Sequence, residues 1–309
     1  MKKISTAHML LLITTGFGII TQLLLITIPN DNIALMSFQM VLSIPAIAYI
    51  FVKKQDISEV LRIKTINIPT ILLSILAAML CYPVSAFISV ISSYFIQNNL
   101  TDAMSSVYSA GLGFALFATA ILPALGEEIL FRGVLYHTYS RISPKKGILL
   151  SAMLFALMHM NFYQMFYAFF IGIIFALMME AADSLLVPMI MHFIYNATSV
   201  INGYAVYRSS NSGIEAQAEL IADERLAMGA VLYSYTITAL ICLGILMVII
   251  YVTYLINKRS IKAVFQKKPD TLPAAYIIDD KPKKNKWIDL WLILFVLYAA
   301  AMTVLNTIS

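Results

Sequence analysis

Charge is scarce in this chain. Asp, Glu, Lys and Arg make up 12% of its 309 residues, against roughly 25% in soluble domains, which excludes a molecule whose whole surface faces water. Cysteine is scarcer still. Cys81 and Cys242 are the two present, both in apolar runs where a thiol behaves as a small buried hydrophobe, so neither a disulfide framework nor a cysteine-based metal cluster can be built. The sequence contains no HExxH, the pattern that sets two histidine ligands and a base on one helix. No internal repeat and no low-complexity tract divides the chain, which removes the signature of many secondary transporters.

What fills the sequence is hydrophobic: 61% of residues, with a mean hydropathy of +0.85. Runs of roughly 20 apolar residues are long enough to span a bilayer as helix. They fall at about 7–28, 33–52, 70–93, 107–125, 147–160, 163–181, 185–207, 230–256 and 287–307, the fifth cut short at about 14 residues by the polar cluster 159-HMNFYQ-164, near Asn161. The expectation is an all-α, multi-pass integral membrane protein of about eight to nine transmembrane helices, with a conical or bundle-like core of four. The chain divides into 1–106 (helices one to three and a connector), 107–207 (the core) and 208–309 (an outer loop, helix eight, a basic loop and helix nine). The first run follows Lys2 and Lys3 but lacks a small-residue cleavage pattern, so it reads as a retained helix rather than a signal peptide.

The net charge of +5 follows from topology and needs no nucleic-acid partner. With the N-terminus in the cytoplasm and nine spans, all of the 21 Lys and Arg except Arg208 and Arg225 fall on the inner side, Arg132 among them, as the positive-inside rule requires. The partner implied is the lipid bilayer. Residues 53–69 place Ile57, Val60, Leu61 and Ile63 at helical spacing among charges, which suits a short interfacial helix. Residues 208–229 form an acidic outer stretch, and 258–286 a flexible basic linker. That linker leads to a last helix opened by Trp287 and Trp291, aromatic residues suited to the interface.

Ionisable side chains inside spans are costly and need an account. In 121-ILPALGEEILFRGVLYH-137, helical geometry sets Glu128 and Arg132 at i and i+4, able to pair, and turns Glu127 about 100° away. One glutamate is then held and the other free, the arrangement that divides structural and acid/base roles between identical groups. His159 follows an apolar run, and His192 and Asn196 share a helix face one turn apart. Hydrolysis is the chemistry such a set supports: a base for the attacking water and donors for an oxyanion. Glu127 is the candidate base, His159 orients the water, and His192 and Asn196 are the candidate donors. The competing version places a metal, zinc, on His159 and His192, with Glu127 as third ligand or as base. Spacing leaves both open. Other polar positions read more plainly: His137 and His8 as surface or interface residues, Glu180 and Asp183 as solvated loop carboxylates, Asn161 and Gln164 as closing the outer end of a cavity.

The three motifs Glu127-Glu128-xxx-Arg132, Phe155-xxx-His159 and His192-xxx-Asn196, in that order on apolar helices, resemble the signature of the CAAX prenyl protease and bacteriocin-processing family (CPBP, Abi) of intramembrane proteases. The resemblance covers roughly residues 110–205. It implies a membrane-embedded or lipidated peptide or protein substrate and a site facing the cytoplasmic side, with Glu127 activating water, Glu128 and Arg132 supporting it, and His159, His192 and Asn196 completing the constellation. The family carries both a metalloprotease label and a metal-free glutamate mechanism. Two other classes use the same residues differently: a non-cleaving scaffold or bacteriocin-immunity protein, and a proton-coupled transporter with a buried Glu/His relay.

Overall fold

The computed structural model describes residues 2–25, 31–96, 100–141, 143–211, 224–265 and 288–308, and every regular element among them is helical. The chain opens with α1 (Lys2–Leu25), α2 (Asp31–Val52), the short α3 (Ile57–Leu61), α4 (Ile68–Ser93) and α5 (Leu100–Ser109). One irregular helix then runs from Leu112 to Ser140. It consists of α6 (Leu112–Leu116), a first π-helical stretch (Phe117–Ile121), α7 (Leu122–Glu128), a second π-helical stretch (Ile129–Tyr136) and α8 (His137–Ser140). After it come α9 (Pro144–Met158), α10 (Phe162–Ala182), α11 (Leu186–Asn211), α12 (Glu224–Ile256), the single turn α13 (Lys262–Phe265) and α14 (Leu290–Ile308).

Among the described residues, five helical segments are long and apolar enough to cross a membrane: Ile4–Thr21, Ile68–Ser93, Leu112–Ser140, Phe162–Ala182 and Gly229–Ile256. Ser43–Val52 and Leu290–Leu305 are shorter apolar helices. The protein is therefore an integral membrane protein. Of the nine runs, the fifth becomes α9, which at about 22 Å of helix falls short of a hydrocarbon core of about 30 Å. Among the described residues α11 is not apolar enough on its own, since it carries His192, Asn196, Ser199 and Asn202.

The fourth span differs most from its expectation. It continues to Ser140 instead of ending near 125, so Glu127, Glu128 and Arg132 lie inside a helix. Arg132 is 0% exposed and does not belong with the inner-loop cations. Its charge is answered within the helix by Glu128, and the apolar residues around it continue the span through that pair.

Helix ends follow local chemistry. Ser143 caps α9, with Pro144 in the first turn, where a missing N–H costs nothing. α9 ends at the expected polar cluster: Met160 takes a left-handed φ of 49°, and the Asn161 side chain accepts from the N–H groups of Tyr163 (2.9 Å) and Gln164 (3.3 Å) to start α10. Asn161 is thus a helix cap. α10 crosses α9 closely because Gly172 faces Ala152; a Cβ at 172 would sit 2.8 Å from the Ala152 Cβ, the small-on-small contact that lets membrane helices approach. α4 packs against α10, α11 and α12, and α1 lies between α2 and α14.

The connector at 53–69 does form a short helix, capped by Asp56 and closed by Arg62 in a left-handed conformation. It then ties down the α10–α11 turn. Arg62 pairs with Glu180, Lys64 with Asp183, and Arg259 reaches Asp183 at 3.0 Å. Glu180 and Asp183 are therefore ion-paired, not solvated loop groups, a partnership between segments more than 100 residues apart that spacing cannot reveal. Burial pushes the Asp183 carboxyl up, but the Lys64 hydrogen bond and the Arg259 and Arg62 charges outweigh it and hold it below its ordinary value. Its share of stability is therefore present above the unfolded carboxylate range and is lost as pH falls through the lowered one.

His8 and His137 are also buried, at 0% and 6% exposure. His8 Nδ1 lies 3.0 Å from Asp289 Oδ1 at the foot of α14, so the position read as interfacial is a helix-to-helix contact. Most of the acidic outer stretch (212–223) and of the basic linker (266–287, including Trp287) lies outside the described residues.

Candidate active site

The polar residues of the irregular helix separate into a buried support and a cavity wall. Glu128, the last residue of α7, is 0% exposed. Arg132 Nη1 donates to its Oε1 at 2.9 Å, and His192 Nδ1, arriving from α11, lies 2.8 Å from the same oxygen. Arg132 also donates from Nη2 to the Gly172 carbonyl of α10 at 3.4 Å. Its guanidinium lies 4.4 Å from the Phe155 ring centroid and 5.7 Å from that of Phe175, within the reach of cation–π attraction. A buried cation is tolerated only when paired and hydrogen-bonded, and this one meets a carboxylate, a carbonyl and two ring faces.

Arg132 pairs with Glu128 and not with Glu127. Glu127, half-buried and one residue earlier, lines a cavity of about 620 Å³ together with His159, His192 and Asn196. Those four residues come from α7, the C-terminal end of α9, and α11. Phe155, one turn before His159, lies between the two histidines. Its ring meets both imidazoles edge-on, at centroid distances of 4.9 Å to His159 and 5.9 Å to His192.

The backbone explains how each side chain is aimed. Two π-helical stretches bracket Leu122–Glu128, and such irregularities change the register of the hydrogen-bond ladder. The Thr119 carbonyl, inside the first, accepts from Asn196 Nδ2 at 2.9 Å. That bond fixes the amide and leaves its second N–H available. His159 Nδ1 lies 2.9 Å from the Phe155 carbonyl. A carbonyl can only accept, so Nδ1 carries the proton and Nε2 of the neutral ring is an acceptor. His192 Nδ1 faces the Glu128 carboxylate in the same way, which fixes its orientation.

Both imidazoles are thus oriented as metal-binding histidines often are. A zinc site with catalytic geometry takes three protein ligands, and among the described residues no three His, Cys, Asp or Glu side chains are grouped to hold a metal ion.

The i, i+4 pairing of Glu128 with Arg132 and the shared face of His192 and Asn196 were legible in the sequence. The roles of Phe175, the Gly172 carbonyl and the Thr119 carbonyl were not, because each is a backbone or ring contact made across helices. Sequence spacing also gave no hint that Thr15 of α1 and Tyr298 and Met302 of α14 help wall the cavity. Gln164 lines it as expected.

Comparison with known proteins agrees with the motifs. A family model described as type II CAAX prenyl endopeptidase Rce1-like matches residues 109–198. No curated protein and no solved structure gives a significant match. The match spans 90 of the 309 residues and takes in all three motifs, so this segment is similar to the Rce1-like type II CAAX prenyl endopeptidase family.

Proposed function

We propose that this protein is an intramembrane endopeptidase that hydrolyses peptide bonds of membrane-associated or lipidated substrates near the cytoplasmic leaflet, with Glu127 as the base. The observation that carries the reading is the convergence of Glu127, His159, His192 and Asn196 on one cavity while Glu128 and Arg132 stay behind its wall.

In this reading, a water held between the Glu127 carboxylate and His159 Nε2 attacks the scissile carbonyl carbon. Glu127 takes the proton as the new C–O bond forms and returns it to the leaving amine as the C–N bond breaks, the usual double duty of a general acid/base. The free Asn196 N–H donates to the oxyanion. His192, with Nδ1–H committed to Glu128, donates from Nε2 only as the imidazolium; as the neutral ring it offers a lone pair and helps hold the water. Glu128 and Arg132 position His192 and touch no reacting atom.

The metal version of the site is separated from this one by chemical analysis. Metal content of the purified chain is measured by mass spectrometry beside a His159→Ala/His192→Ala double variant, with chelator sensitivity of peptidase activity recorded on the same samples. The expected outcome is activity that persists in chelator with metal well below one per chain. About one zinc per chain, lost in the double variant together with activity, would replace the glutamate mechanism by a metal-assisted one.

A further inference from the structure

A second cavity, of about 710 Å³, opens beside the catalytic one and shares Met104, Tyr108, Tyr167, Tyr195 and Ser199 with it. Its lining is unusual for a groove among apolar helices. Seven tyrosines and five serines face it, and none of its side chains is charged. That composition rules out recognition by ion pairing and leaves neutral hydrogen bonding and ring contact.

The hydroxyls are ordered by helix geometry. On α4, Tyr82, Ser85, Ser89 and Ser93 recur at steps of three, four and four and form one stripe. Opposite, α11 presents Tyr195, Ser199 and Asn202 at steps of four and three. The rings of Tyr82 and Tyr195 meet across the groove with centroids 6.1 Å apart. Where the two cavities join, Tyr108 lies against α11 at Gly203, where a Cβ would collide with its phenol. A glycine therefore seats the residue that walls both spaces.

A peptide bond can be hydrolysed only once it leaves its helix, and in a bilayer each released N–H and C=O must find a new partner. A wall of hydroxyls and one amide beside the catalytic cavity supplies such partners, Ser93 through the lone pairs left by its bond to the Val90 carbonyl, whereas a hydrocarbon chain placed there could return none of those hydrogen bonds. The α4 stripe covers roughly 16 Å of helix axis, the length of about five residues of extended chain at ~3.3 Å each. Resting on the protease reading above, we infer that this groove binds a locally extended, unlipidated stretch of substrate polypeptide, with its tyrosine, serine and asparagine groups replacing the hydrogen bonds of the unwound helix. The groove, rather than an isoprenoid pocket, sets substrate class.

The test uses the full chain in nanodiscs and two probes: a 25-residue apolar peptide with a central Ser-Gly pair between fluorophore and quencher, and a short S-farnesylated peptide of the same label. Ser89 and Asn202 line the groove and not the catalytic cavity. The Ser89→Val/Asn202→Leu variant is expected to raise KM for the unlipidated peptide at least tenfold with kcat within about twofold, and Ser89→Thr, which keeps the hydroxyl, to retain the wild-type KM. An unchanged KM in the double variant would overturn the groove proposal while leaving the protease reading intact, and so would cleavage of the farnesylated peptide alone. In parallel, a photoreactive benzophenone amino acid at position 207 reads binding without catalysis. Capture of the unlipidated peptide without cleavage would support the groove and count against the protease, and neither capture nor cleavage would overturn both.

Discussion

Replacing Glu127 by alanine is expected to lower kcat for peptide cleavage by about 10³-fold, within the range a positioned general base supplies, while leaving the protein folded in the membrane. The two halves of that expectation have separate causes. Glu127 lines the cavity it shares with His159, His192 and Asn196 and stands outside the Arg132 ion pair, so in the proposed mechanism its loss removes proton transfer without stranding a buried charge. Glu127→Gln should lose as much activity as Glu127→Ala, because an amide keeps shape and hydrogen bonding but cannot accept the proton. Glu127→Asp should retain part of the rate. Steady-state kinetics on the three variants, at matched thermal stability in detergent, measure the effect. Equal rates for Glu127→Gln and wild type would remove the base from Glu127.

Glu128→Ala is expected to have the opposite signature: a loss of stability of about 3–5 kcal/mol, the usual consequence of leaving a buried charge unpaired. Arg132 is 0% exposed, and without Glu128 it keeps one long bond to the Gly172 carbonyl and two ring faces. His192 loses its orienting carboxylate at the same time. Melting temperature and the yield of inserted protein read the first effect. The double variant Glu128→Leu/Arg132→Met separates the two roles, since replacing a buried ion pair by apolar groups of similar size is often neutral or stabilising. It should recover most of the stability and remain slow, because His192 is no longer held. Full recovery of activity along with stability would mean that the pair has a structural role alone.

Much of this site was legible before the fold was known, and the legible part has a common cause. Contacts between residues one helical turn apart depend on helix geometry alone, so Glu128 with Arg132 and the shared face of His192 and Asn196 follow from the sequence. The connection near Asn161 was legible too, because a polar cluster cut an apolar run too short to span. Contacts across helices were not. The Gly172 carbonyl carries no side-chain signal, and the Arg62–Glu180 pair joins segments 118 positions apart. The length of the fourth span was misjudged for a physical reason. Charged residues ordinarily mark an aqueous loop, whereas Glu128 and Arg132 neutralise each other and let the helix run on through them to Ser140. The contribution of α14 to the cavity wall, through Tyr298 and Met302, likewise depends on packing against α1, which no local pattern encodes.

The groove beside the site changes what a useful substrate screen looks like. If its hydroxyl stripes receive unwound polypeptide, membrane proteins with weak helices are the natural candidates, and lipidation is not required for recognition. The ion-pair cluster around Arg62 and Asp183 anchors the other end of α10 and α11, so the helices bearing the groove and the site are held at a fixed base.

The most direct measurement of whether this protein cuts peptide bonds is a mass-spectrometric survey of protein N-termini in membranes containing either the wild-type chain or Glu127→Gln at equal abundance. The expected result is a set of new N-termini, in or beside transmembrane segments, present with the wild type and missing with Glu127→Gln. Identical N-termini in the two membranes would contradict the proteolytic role of Glu127 and return the cavity to a binding function.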